Sequence, residues 1–155
     1  MIISYQDLKK LNGARTTFVV GTFDLLHVGH LFFLDKAKSI EPKNKLLVGV
    51  ISDKIVKENK GQERPIVSEK QRAEMLNALK IVGNVFVAPP IKTGKFVKEI
   101  LENFKPSHAA ITESSWKTRK NPFPIKNTNV IVIKDEAEGI STSKIIERIK
   151  NLKEC

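Results

Sequence analysis

Thr17-Phe18-Val19-Val20-Gly21-Thr22-Phe23-Asp24-Leu25-Leu26-His27-Val28-Gly29-His30 decides the fold. Thr17–Val20 is β-branched and aromatic, and reads as a buried strand that stops at Gly21. Val28–Ser39 then carries Leu31, Leu34 and Ala37 on one helical face. A strand that turns through glycine into a helix begins a βαβ unit. Such a turn brings backbone N–H groups and a positive dipole end to one place, where an anion can sit.

The same alternation runs outward from it. Ser4 with Asp7 forms the start of a short helix around Tyr5–Leu11, with Gly13 as its stop. Lys45–Ile51, Asn84–Ala88, His108–Ile111 and Asn129–Ile133 are predicted strands. Asp53–Asn59, Glu69–Lys80, Phe96–Phe104 and Ser143–Leu152 are predicted helices. Lys60–Ser68 reads as a loop, and Glu113 to Asn127 as an irregular basic stretch with Pro122 and Pro124. Buried strands alternating with helices imply an α/β fold, a doubly wound parallel sheet covered on both faces. No repeat or linker divides the chain, so residues 1–155 are expected to form a single domain. Ligands of such sheets bind at the carboxyl ends of the strands, at the switch point.

Composition bounds the function. Hydrophobic residues make up 41% and charged residues 28%, the balance of a folded globular chain. No apolar run approaches the ~20 residues that cross a bilayer, and Met1 to Lys10 lacks a signal peptide's apolar stretch. The lone cysteine, Cys155, forbids an internal disulfide. These features predict a cytoplasmic protein with no membrane partner. Lys and Arg number 27 against 17 for Asp and Glu, a net charge of +10. Such an excess favours nucleoside triphosphates, phosphorylated metabolites or nucleic acid, though a solvated lysine surface gives the same number.

Three blocks carry chemistry. In the first, Gly21 and Gly29 let backbone approach a phosphate chain. His27 and His30, three apart, can share a helical face and donate to oxygens that gain charge in a transition state. Capping or core histidines are the bland alternative. A zinc pair is another, with His108 as the only further histidine. The second block is Gly139-Ile140-Ser141-Thr142-Ser143, three hydroxyls at a helix start that can hold a triphosphate or merely cap the helix. The third is Lys57, Lys60-Gly61, Arg64-Pro65 and Gln71-Arg72, cations able to close over phosphates.

Together these blocks resemble the cytidylyltransferase-like nucleotidylyltransferases. The first matches that family's Gly-Thr-Phe-Asp-x-x-His-x-Gly-His signature. The Gly139–Ser143 block is similar to its C-terminal Gly-Ile-Ser-Thr-Ser/Thr motif. The cationic block resembles a run in the heptose-phosphate adenylyltransferases and archaeal-type FAD synthases. The resemblance covers about Thr17 to Ile149. It implies a Rossmann-like fold, a homodimer, Mg²⁺ as cofactor with its ligands unassigned, and attack of a substrate phosphate on the α-phosphorus of an NTP.

By residue, it implies catalytic roles for His27, His30, Lys60 and Arg72. Nucleotide binding would fall to Gly21, Thr22, Phe23, Gly29, His30, Gly139, Ser141, Thr142 and Ser143, and substrate binding to Asp24, Lys57 and Trp116. The narrow expectation is CTP with a phosphorylated alcohol or sugar. The alternative is ATP with a sugar phosphate or FMN. A non-catalytic nucleotide- or RNA-binding module is the reading from another class.

Two departures stand out. Glu136 occupies the place of an arginine typical of cytidylyltransferases. Thr112-Glu113-Ser114-Ser115-Trp116 replaces an acidic Gly-Asp-Asp-Trp. The basic stretch Trp116 to Pro124 reads as a lid over an anionic acceptor, a surface that stacks on nucleic acid, or a solvated loop.

Overall fold

Val19, Leu46, Val48 and Val50 point to one face of a sheet, and Phe18, Leu47 and Phe86 to the other. That two-sided burial is what near-continuous apolar strands require. The computed structural model describes residues 1–118, 127–134 and 139–152. Arg119 to Lys126, Glu136 and Cys155, which enter the sequence reading, lie outside the described residues.

The sheet has five parallel strands: β1 (Thr16–Gly21), β2 (Lys45–Val50), β3 (Asn84–Val87), β4 (His108–Thr112) and β5 (Asn129–Ile133), in the order β3-β2-β1-β4-β5. The order reverses between β1 and β4, which is therefore the switch point. Leu34 and Ala37 of α1 (Val28–Ser39) cover one face with Ala73 and Leu76 of α3 (Glu69–Asn77). Phe96 and Val97 of α4 (Thr93–Glu99), with Leu8, cover the other. The chain is a single Rossmann-like α/β domain, as the alternation predicts.

The N-terminal segment is a 3₁₀ helix, Tyr5–Lys10, with Ser4 Oγ accepting from the Asp7 N–H at 3.2 Å. α3 stops at Asn77 rather than Lys80. There the chain tightens to three-residue bonds, Leu79 N–H to Leu76 O and Val82 N–H to Leu79 O, and delivers Asn84 to β3. The expected helix to Phe104 widens after α4 into a π-helical turn, Ile100–Phe104. α2 spans Asp53–Lys60 and α6 spans Thr142–Asn151.

Glu113–Lys117, expected to be irregular, is a short helix, α5, because the Thr112 hydroxyl caps the Ser115 N–H at 3.3 Å. No described helix is long and apolar enough to cross a membrane.

Candidate active site

The loop from β1 to α1 is held in an uncommon shape. Phe23 and Leu25 have φ of 53° and 47°, the left-handed region that non-glycine residues avoid. Gly21 precedes them because a Cβ there would lie 2.9 Å from the Phe23 ring. What stabilises the loop is Asp24, which is buried. Its carboxylate accepts from Arg64 Nε at 2.9 Å, and from the Ile66 and Val67 N–H groups at 2.9 Å each. Burial by itself raises the Asp24 pKa. The two N–H donors and the Arg64 guanidinium overcome that and hold it below the ordinary carboxylate value.

α1 begins with a capping box built from two imidazoles. His27 Nδ1 accepts from the Gly29 N–H at 3.2 Å, and His30 Nδ1 accepts from the His27 N–H at 3.4 Å. The rings stack with centroids 3.8 Å apart, and Phe23 meets His30 edge-on at 5.4 Å. An Nδ1 that accepts carries no proton, so each neutral ring has its proton on Nε2. Burial pushes the His27 pKa down. Burial, the neighbouring His27 and the Lys60 charge push His30 down to about 4. Near neutral pH both rings are uncharged Nε2–H donors. Capping and donation are thus one arrangement, and the bland alternative of capping histidines is part of the site.

Both rings line a cleft of about 840 Å³ at the carboxyl ends of the strands. Gly21, Thr22, Phe23, Gly29, Lys60, Trp116 and Thr142 line it too. The Thr142 hydroxyl donates to the Asp24 carbonyl at 2.7 Å, so the start of α6 lies against the turn that holds the imidazoles. Ser141 is the N-cap of α6, its Oγ accepting from the Lys144 N–H at 3.2 Å. Gly139 reaches it through φ 88°, which suits glycine. Ser143 is exposed and does not line the cleft. Lys60 remains well solvated at the cleft edge. Partial desolvation, with the Arg64 and Arg72 charges, draws its ammonium below the ordinary lysine value.

Besides Ser143, three further sequence expectations need correction. Arg72 is not aimed at a ligand. It is 1% exposed and donates to the carbonyls of Val67 (2.9 Å), Ile51 (2.9 Å) and Thr22, and to Asp53 Oδ1 at 2.6 Å. It ties the carboxyl ends of β1 and β2 to α2 and α3. The Asp24 carboxylate is closed off from an acceptor by Arg64 and the two N–H groups. Lys57 is exposed on α2 and does not line the cleft.

His108, the remaining histidine, lies at the amino end of β4, with Nδ1 3.1 Å from Ser107 Oγ and 3.3 Å from Asn44 Nδ2. It is at the wrong end of the sheet to complete a zinc site with His27 and His30. No metal-ligating cluster of three His, Cys, Asp or Glu occurs among the described residues. Mg²⁺ needs oxygen ligands in octahedral array. Asp24 is the sole acid among the described lining residues, and it is already engaged. These residues do not compose a magnesium cage.

The sequence reading missed Lys134, Asn59, Thr93, Val97 and Leu101 as lining residues. Nothing in their spacing marks them, since they meet only across the sheet.

A parallel five-stranded sheet and a paired-imidazole turn at its switch point define a nucleotidyltransferase domain. The chain belongs to the cytidylyltransferase-like family, which it matches over residues 18–148. It is 37% identical over 146 residues to the bifunctional protein HldE of Helicobacter pylori, covering 92% of this chain and 29% of that protein. It is 38% identical over 150 residues to HldE of Campylobacter jejuni, covering 94% and 30%. The chain thus spans about three-tenths of the length of these relatives. Among solved structures, a lipopolysaccharide core biosynthesis protein of Thermoplasma volcanium superposes with a TM-score of 0.59 at 22% identity, covering 79% of this chain and 96% of that one. Pantothenate synthetase of Thermus thermophilus gives 0.53 at 16%, covering 86% and 61%. Those two likenesses concern the fold.

Proposed function

We propose that the chain transfers an adenylyl group from ATP to a phosphorylated small molecule and releases pyrophosphate. The observation that carries this reading is the single cleft shared by His27, His30, Lys60 and Thr142. An oxygen of the acceptor phosphate attacks the α-phosphorus. The bond from the α-phosphorus to its bridging oxygen breaks, and the electron pair leaves with pyrophosphate. Such a displacement depends on positioning and charge stabilisation rather than on a protein nucleophile. The His27 and His30 Nε2–H groups donate to the α-phosphate and bridging oxygens, where charge grows. Lys60 neutralises the phosphates, and the N–H groups at the start of α6, with Thr142, hold the β- and γ-phosphates.

ATP takes the place of the CTP expected from the Gly139–Ser143 block. The likeness to HldE proteins favours adenylyl transfer, as does the Lys60-Gly61, Arg64-Pro65, Gln71-Arg72 run. A cytoplasmic homodimer is the assembly we expect, and light scattering on the purified chain tests its stoichiometry.

The deciding experiment measures pyrophosphate release over the four NTPs, each with phosphorylated alcohols, sugars and FMN. Turnover with ATP supports the proposal. Turnover confined to CTP restores the cytidylyl reading. No turnover with any pair, with tight RNA binding, replaces the enzyme by a binding module.

A further inference from the structure

A nucleoside triphosphate and an acceptor phosphate bring several negative charges into one cleft. The cationic block nominated by the sequence supplies little to balance them. Arg72 is spent on carbonyls and Asp53, Arg64 is tied to Asp24, and Lys57 lies off the cleft. Among the described lining residues the lysines and arginines are Lys60 and Lys134 alone. Lys134 is exposed and belongs to none of the three motif blocks.

The two lysines stand on opposite flanks of the imidazole turn. Lys60 closes α2, which follows β2, and its charge reaches His30. Lys134 follows β5, two strands from β1 on the other side. Ile133 is in register with Thr112, so Lys134 stands beside the end of β4, where α5 begins. In the displacement, the attacking and leaving oxygens lie on opposite sides of the α-phosphorus. One flank therefore takes the acceptor phosphate and the other the departing pyrophosphate. β5 leads into α6, and Lys134 and Thr142, near the two ends of that connection, line the same cleft. The α6 start is the anion site assigned above to the β- and γ-phosphates, so Lys134 shares the pyrophosphate flank.

We infer that Lys134 is a catalytic residue whose ammonium pairs with the β- and γ-phosphates and with the charge that grows as pyrophosphate departs, leaving Lys60 to the α- and acceptor phosphates. The inference rests on the nucleotidylyl-transfer reading. When the bond from the α-phosphorus to its bridging oxygen breaks, its electron pair goes to that oxygen. A cation on that flank therefore binds the transition state and the product pyrophosphate more strongly than a neutral group would. The leaving group departs as the anion, and Lys134 keeps its proton.

The test follows adenylylated product by chromatography, with the full chain, ATP and the acceptor that wild type turns over best. Inorganic pyrophosphate is added as the inhibitor. Lys134→Gln is expected to raise KM for ATP and the inhibition constant of pyrophosphate about tenfold each, the loss of one charge-assisted hydrogen bond. KM for the acceptor should stay within about twofold, since that flank keeps its own cation. Lys134→Arg keeps the charge and should restore both constants to within about threefold of wild type. Lys45→Gln makes the same charge change at the amino end of β2, the far end of the sheet, and controls for the overall field. Its constants should stay within about twofold of wild type.

ATP and pyrophosphate constants unchanged in Lys134→Gln overturn the inference and leave nucleotidylyl transfer standing. A rise confined to the acceptor KM puts Lys134 on the wrong flank and overturns it too. Equal losses in Lys134→Gln and Lys45→Gln reduce the effect to net charge and overturn it as well. No product from wild type with any acceptor overturns nucleotidylyl transfer and the inference with it.

Discussion

The Thr142 hydroxyl donates to the main-chain carbonyl of Asp24 across 2.7 Å of space and 118 residues of sequence. The carboxylate of the same Asp24 holds Arg64, Ile66 and Val67. One residue therefore fixes the imidazole turn against both the start of α6 and the segment that follows Lys60. Thr142→Val removes the donor but keeps the shape. It is expected to raise KM for ATP about tenfold through loss of one hydrogen bond and of α6 positioning. Thr142→Ser restores the hydroxyl and should return KM to within about twofold of wild type, on the same reasoning. Steady-state pyrophosphate release measures both. Equal behaviour of the two variants would detach Thr142 from nucleotide binding.

The two imidazoles can be separated by their structural roles. His27 caps α1 and His30 closes the box, so alanine at either site mixes stability with chemistry. Asparagine at 27 remains a good cap but lacks the Nε2 donor, and His27→Asn should melt within a few degrees of wild type. Its kcat should nonetheless fall by about 10²-fold, the loss typical of one preorganised donor. His30→Ala should lose about as much rate or more, with an unchanged far-UV spectrum. Near-full turnover in either variant would remove that ring from the mechanism.

The sheet was legible because each strand is apolar on both faces and each helix has its own period. The strand ends were less so: α5 is five residues long, too short for periodicity, and only the capping threonine announces it. The imidazole turn and the α6 start were legible as motifs, because their chemistry is local in sequence. Arg72 misled for a physical reason. Charge suggests a ligand contact, but its place four residues before the buried Leu76 puts it on the inward face of α3, where Ala73 also lies. Asp24 misled likewise, since its partners sit 40 to 43 residues away.

Arg72 gives a clear contrast between a strut and a clamp. Lysine keeps the charge but cannot reach three carbonyls and Asp53 at once, because it lacks the planar fork. Arg72→Lys should destabilise the fold by about 3–5 kcal/mol, the range for breaking a buried ionic network. For a chain of this size that is roughly a 10 °C drop in Tm. Thermal melting by circular dichroism reads it. A variant with native Tm but reduced affinity for ATP would return Arg72 to the role of phosphate clamp.

His30 makes stability depend on pH in a defined direction. Its folded pKa is about 4, against an unfolded value near 6.5. Between those values the unfolded chain takes up a proton that the native chain refuses. The native state is therefore favoured more as pH rises through this window, fully above about 6.5, and less as pH falls toward 4. The gap corresponds to about 3 kcal/mol as an upper figure. His27, lowered by burial, adds in the same direction. Asp24, also held low, adds its own loss at more acid pH. Replacing His30 by Gln removes one titration and leaves the others. The urea midpoint of wild type should therefore fall more steeply from pH 7 to pH 4.5 than that of His30→Gln. Bound ATP should reverse part of the wild-type loss, because a polyphosphate beside the ring favours imidazolium. Calorimetry at pH 5.5 in buffers of different ionisation enthalpy should then show proton uptake on ATP binding. Parallel stability curves for the two proteins would mean that His30 is not held neutral by its surroundings, and the account of the twin donors would fail with it.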